Sequence, residues 1–315
     1  MSFISLQTMR QYLCRSISSI NQNKLNGIIA EIDFRHTLQN LGFSDRISPG
    51  GWIVRNIGQN LFGHHTSVFF PETIIAGTEY LVHRQLEEPP RGLHAICATM
   101  HQIGIHSYYC IPFIGSDDDY QSIRWCSTQL GIPLQDIYHR FPQNLSGFGM
   151  RNRRYNFLRF HSNANLIPDS AIADQFTKEH IRIAFQNNFM CEMSDIDGIF
   201  WGQQNTYPIE IKEKTVAVEP RVGQYFGLDV GPFVKLAFYA VKRGNLHSLF
   251  VVREIDNSTD RKLVNWWFIR FENLARFASW VPVSGGTNMQ GGGSSVIKIP
   301  KSEFSPLTKE NIEAL

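Results

Sequence analysis

Two short runs constrain this chain most: DIDGIFW at Asp195–Trp201 and YPIEIK at Tyr207–Lys212, separated by the polar segment Gly202–Thr206. Both carry β-branched and aromatic residues at a period of two, and a Gly- and Asn-containing spacer of hairpin length lies between them. The pattern predicts two antiparallel strands. In an extended strand alternate side chains share a face, so Glu210, Lys212 and Lys214 lie on one side and Ile209 and Ile211 on the other, where they can be buried. Asp195 and Asp197 likewise share a face. Folding the pair as a hairpin brings Asp197 toward Glu210.

Two carboxylates with one or two ammonium groups at a strand pair form a hard-cation site. Mg²⁺ suits it, held by one or two carboxylates with water and phosphate completing the shell. A neighbouring Lys can stabilise an anionic phosphorus centre or hold an attacking water. The same pattern also arises as an ordinary hairpin with a solvated charged face, where ion pairs contribute little.

The Asp197, Glu210, Lys212 arrangement resembles the PD-(D/E)xK nuclease superfamily, which includes most type II restriction endonucleases. The resemblance covers Asp195 to Arg253, with a 13-residue gap from Asp197 to Glu210. Ile196 stands where the family places Pro, and Ser194-Asp195 offers an equally imperfect match for the first acid. The resemblance implies an α/β (α+β) fold, with a restriction-endonuclease-like core of mixed central sheet, flanking helices and a large insertion. It also implies Mg²⁺ on Asp197 and Glu210, with Lys212 orienting or deprotonating the water. Cleavage of double-stranded DNA by a homodimer follows from the same resemblance. A repair or methyl-dependent defence nuclease of the same superfamily, or a catalytically silent DNA-binding protein, is the alternative. In many members a helix before the core supplies a further acid. Glu31 is the candidate here, with Glu179 and Glu192 as rivals.

Glu31 lies in a run whose apolar residues Ile28, Ile29, Ile32, Phe34, Leu38 and Leu41 recur at helical spacing, with Gly42 as its stop. Further helices are predicted at Arg91–Ile103, Ser122–Leu130, Ser170–Asn187 and Phe233–Val241. Strands are predicted at Thr66–Phe70, Thr73–Ile75, Ser107–Ile114, Leu249–Arg253 and Val296–Ile299. Trp266–Phe271 reads as a strand or a helix start, and the Gly-rich stretch Ser284–Ser295 as a mobile connection. These elements group as N-terminal helices over 1–51, an insertion with DNA-recognition character over 52–190, and the catalytic core over 191–315.

Residues 137–168 contain no Asp or Glu but hold Arg140, Arg151, Arg153, Arg154 and Arg159, with Tyr155, Phe157 and Phe160 interleaved. Arg suits phosphate and guanine edges, so Arg151, Arg153, Arg154 and Arg159 are the expected DNA contacts. The whole chain carries a formal charge of only +2 over 315 residues, which excludes a histone-like polycation but leaves room for a local basic face. Its 43% apolar content supplies a core and excludes a largely disordered chain.

Five Cys without a CxxC pair fit a reducing cytoplasm better than a disulfide framework. No stretch of 18 apolar residues occurs, so no membrane span is expected. Cys97, His101, His106 and Cys110 have a zinc-like spacing, but their mixed helix and strand positions favour buried structural residues.

Overall fold

The computed structural model describes residues 2–17, 22–56, 66–80, 91–130, 139–140, 148–150, 162–241, 247–287 and 293–315. Its helices are α1 (Leu6–Ser16), α2 (Gln22–Asn40), α3 (Arg91–Gln102), α4 (Asp169–Asn188), α5 (Val230–Ala240), α6 (Phe271–Phe277) and α7 (Lys309–Glu313). With parallel and antiparallel strands in mixed sheets, the fold is α/β. The chain divides into two compact units: residues 1–20 with 49–196, and residues 21–48 with 197–315.

The first unit is built on a seven-stranded sheet. Its strands are β1 (Gly51–Asn56), β2 (Thr66–Pro71), β3 (His106–Phe113), β4 (Arg124–Gln129), β5 (His139–Arg140), β6 (Gly149–Met150) and β7 (Phe189–Ile196). They lie in the order β5-β4-β3-β2-β1-β7-β6. The β2–β3 pair is parallel, with α3 between the two strands in sequence, while β1 pairs antiparallel with both β2 and β7. In α1, Tyr12 meets Phe176 of α4 edge to face at 5.1 Å.

Two local expectations fail in this unit. Ser122–Leu130 is not a helix but contains β4, paired antiparallel with β3 from Tyr108–Gln129 to Phe113–Arg124. Ile123, Trp125 and Ser127 are buried while Arg124 is exposed, so the period-two alternation and the waiting edge of β3 override helix spacing. Thr73–Ile75 forms no strand among the described residues. The Ile74 amide instead donates to Thr177 Oγ1 at 2.8 Å and the Ile75 amide to the Tyr80 hydroxyl at 2.9 Å.

The second unit contains β8 (Gly198–Trp201), β9 (Thr206–Lys214), β10 (Ala217–Glu219), β11 (Gly223–Asp229), β12 (Leu249–Ile255), β13 (Leu263–Arg270), β14 (Val283–Thr287), β15 (Gly293–Pro300) and β16 (Ser305–Pro306). A five-stranded sheet runs β16-β13-β12-β9-β8, and a four-stranded one β10-β11-β15-β14. Most of the Gly-rich stretch is therefore a hairpin, β14–β15, rather than a plain connection. Residues 288–292 fall outside the described set.

β8 and β9 pair antiparallel, β9 and β12 pair parallel with α5 between them in sequence, and β12 and β13 pair antiparallel. Helix α2 covers one face of this sheet. Ala30, Phe34 and Leu38, one helical turn apart, form a core with Ile209, Ile211, Leu249, Val251, Trp266 and Phe268. Gly42, at φ +90°, ends α2 in the left-handed conformation that a side chain resists. The Phe43 amide then returns to the Leu38 carbonyl at 2.9 Å. The opposite sheet face, with Phe250 and Val252, packs on Leu236 of α5 and on Phe226, Leu228 and Ile299 of the smaller sheet. β9 thus has an α2 side bearing Ile209 and Ile211, and an α5 side bearing Glu210 and Lys212.

Candidate metal and carboxylate site

The expected hairpin forms with a tight turn. Trp201 pairs with Thr206, and the Gly202 amide donates to the Asn205 carbonyl at 2.9 Å. A Cβ on Gly202 would come within 2.4 Å of the Leu315 carbonyl oxygen, so Leu315 packs against a position that a side chain cannot occupy without a shift. The expected single strand Asp195–Trp201 is instead two strands, β7 and β8, with Asp197 between them.

That break has a local cause. The last β8–β9 pair is Gly198–Ile209. Beyond it, the Ile211 amide donates to Asp197 Oδ2 at 2.7 Å, so a side chain takes over where the backbone ladder ends. Asp197 is 4% exposed. The acceptor is therefore fixed on the backbone between Glu210 and Lys212.

Glu31 and Asp197 present carboxylate oxygens within 4.8 Å of one another. Ala30 sits in the core stripe of α2, and the adjoining Glu31 is half-buried. Hard oxygen donors at this spacing suit Mg²⁺ or Ca²⁺. Asp195 lies two residues earlier, on β7 opposite Trp52, and belongs to the first unit. The rivals to Glu31 are also in the first unit, each in an ion pair: Glu179 with Arg182, and Glu192 with Arg55 at 2.5 Å.

Glu210 has a different environment. Glu31, Asp197 and Glu210 do not form one cluster within 4.8 Å, because Glu210 points to the α5 side of β9. It is 2% exposed, and each carboxylate oxygen faces an ammonium: Oε1 is 2.7 Å from Lys212 Nζ and Oε2 is 2.5 Å from Lys235 Nζ. Lys214 follows on the same side. Burial lowers its pKa, an effect opposed by Asp229 and reinforced by Lys212.

Lys235 was not a sequence candidate. The signal was present: it is the one charged residue among the eleven of α5, VGPFVKLAFYA. A cation in an apolar helix needs a partner or water.

Three residues beyond Glu210, Glu213 lies on the α2 side. Its oxygens pair with Arg253, at 2.8 Å, and with Arg261. Arg253 also holds Asp33 of α2 at 2.9 Å, tying helix to sheet. Burial raises the Glu213 pKa despite the two guanidinium groups, which pull it down.

The DNA-contact candidates Arg151, Arg153, Arg154 and Arg159 lie outside the described residues. All five cysteines are free thiols. Cys97 is wholly buried, and burial pushes its thiol up to about 12, which suits a packed core residue rather than a metal thiolate. No helix among the described residues is long and apolar enough to cross a membrane. Compared with protein-family models, curated proteins and solved structures, the chain matches none.

Proposed function

We propose that this chain is a Mg²⁺-dependent endonuclease hydrolysing phosphodiester bonds in double-stranded DNA, in the manner of type II restriction enzymes. One observation carries the reading: Asp197 accepts the amide of Ile211, between Glu210 and Lys212. The three residues of the motif therefore meet at one strand pair. Helix α2 adds Glu31 beside Asp197, and the motif strand is followed in sequence by a helix, α5, and a strand, β12, that pairs parallel with it.

Asp197 and Glu210 would hold the ion, as the resemblance implies, with Glu31 beside Asp197. When bound, Mg²⁺ supplies Lewis-acid neutralisation of charge at the phosphodiester. The chain's own residues do the rest. Asp197 is anchored by the Ile211 amide, so its second oxygen is directed without reorganisation. Lys212, with its side chain 31% exposed, can leave Glu210 to orient the attacking water as a donor. The acid-free stretch 137–168 supplies a basic segment for DNA. Homodimerisation, one site per strand, is what the resemblance implies for palindromic targets, and the free thiols agree with a cytoplasmic enzyme.

Incubating supercoiled plasmid with the protein in Mg²⁺ or in EDTA tests this. Discrete, Mg²⁺-dependent fragments are expected. A smear would point to a non-specific nuclease, and shifted but uncut DNA to a binding protein.

A further inference from the structure

We infer that Lys214 is a phosphate-binding residue, whose ammonium takes an oxygen of a phosphodiester in the bound DNA strand. The phosphate site rests on the geometry around β9, and DNA as the source of the phosphate rests on the nuclease reading above. Glu210, Lys212 and Lys214 alternate along the α5 side of β9, so two ammonium groups follow one carboxylate toward the strand end. Lys212 lies 2.7 Å from Glu210 Oε1. Lys214 is half-buried, and among the described residues no ion pair or hydrogen bond holds its ammonium.

The carboxylates around Lys214 are engaged elsewhere. Asp229, just before α5, attracts it without an ion pair and accepts from Ser294 Oγ at 2.5 Å. Glu254 stands beside it in the parallel β9–β12 register, but its oxygens take Lys301 Nζ at 2.7 Å and Trp267 Nε1 at 2.5 Å. Glu210 has Lys235 as well as Lys212. Four ammonium groups thus meet three carboxylates on this side, an excess of one positive charge, and a phosphodiester carries one negative charge. Lys212 adds repulsion to the cost of keeping Lys214 charged and half-buried. An oxyanion bound at Lys214 relieves both, through a charge-assisted hydrogen bond.

Two measurements on the full chain read this without cleavage: anisotropy of a labelled duplex at several salt concentrations, with Ca²⁺ replacing Mg²⁺, and calorimetric titration with inorganic phosphate. Lys214→Gln should weaken DNA binding alike on unrelated sequences and lower the salt slope by about 1. It should weaken phosphate binding by about tenfold or more, the loss of one hydrogen bond to a charged group. Lys214→Arg, which keeps charge and donors, should preserve both. Lys262→Gln, which removes an exposed lysine between β12 and β13, should leave the slope unchanged. An unchanged slope in Lys214→Gln, together with unchanged or absent phosphate binding, overturns the inference, as does an equal fall in slope from Lys262→Gln. Phosphate binding that depends on Lys214 in a chain that binds no DNA contradicts the nuclease reading alone, and the phosphate site stands.

Discussion

Glu210 and Glu213 are three residues apart on β9, both almost buried, each between two cations, on opposite sides of the sheet. Their partners differ in kind. Glu213 is gripped by arginines, whose planar forks bond several groups at once: Arg253 reaches Glu213, Asp33 and the Arg261 carbonyl together. Such a fork is always charged and pre-organised, which suits a permanent lock between α2 and the sheet. Glu210 is held by lysines, compact point charges on flexible stems that can let go and be resolvated. The same local motif, a buried carboxylate between two cations, is thus built with arginines on one face and lysines on the other.

The sharpest way to break this contrast is Arg253→Ala. It strands Glu213 and Asp33 and should cost about 3–5 kcal/mol in urea unfolding, the range for removing one partner of a buried ion pair. Lys212→Ala, losing a half-exposed partner while Lys235 stays on Glu210, should cost no more than ~1 kcal/mol. Equal losses would mean that the two clusters are one kind of structure.

Activity should reverse the order. Lys212→Ala and Asp197→Ala should slow Mg²⁺-dependent cleavage by on the order of 10²-fold or more in single-turnover assays, with the fold intact by circular dichroism. Arg253→Ala, assayed at a temperature where it remains folded, should keep more activity than either.

The first unit offers a titratable control. Burial pushes His180 down to about 4 from 6.5; its Nδ1 accepts from Trp125 Nε1 at 3.0 Å and its Nε2–H faces the Tyr120 carbonyl. The folded state therefore binds this proton less readily than the unfolded one. The stabilisation is full above pH 6.5 and is lost as pH falls toward 4. The whole gap corresponds to ~3 kcal/mol, and partial accessibility of the ring reduces this to about 1–2 kcal/mol. His180→Gln should flatten the stability profile between these pH values without changing the cleavage profile at Lys212.

The smallest effect expected is at Asp195. Asp197 anchors on the Ile211 amide, whereas Asp195 sits in the β1–β7 ladder. Asp195→Asn should reduce cleavage less than Asp197→Asn, and equal loss would make the two acids one functional pair.

Much of this was legible in the sequence, because periodicity and turn chemistry are local. The β8–β9 hairpin, α2 with its Gly42 stop, α4, α5 and β12 follow from spacing alone. So does the opposition of Glu210 and Lys212 to Ile209 and Ile211. The α/β class followed from the mixture. What was hidden depended on long-range partners. β4 looked helical until β3 offered it an edge. The apparent strand Asp195–Trp201 breaks because the Asp197 side chain finds an amide fourteen residues away. The two lysines on Glu210 come from elements separated by a whole connection, so strand alternation revealed Lys212 but not Lys235. The interleaving of the units, with 21–48 joining 197–315 across residues 49–196, leaves no mark in composition.

The most direct test of the metal-site reading is plasmid cleavage by the parent and by Lys212→Ala, side by side, in Mg²⁺ and in EDTA, at equal folded concentration. The expected result is discrete fragments from the parent in Mg²⁺ only, and a rate lower by on the order of 10²-fold from the variant. Full cutting by Lys212→Ala, or no cutting by the parent in Mg²⁺, would contradict it.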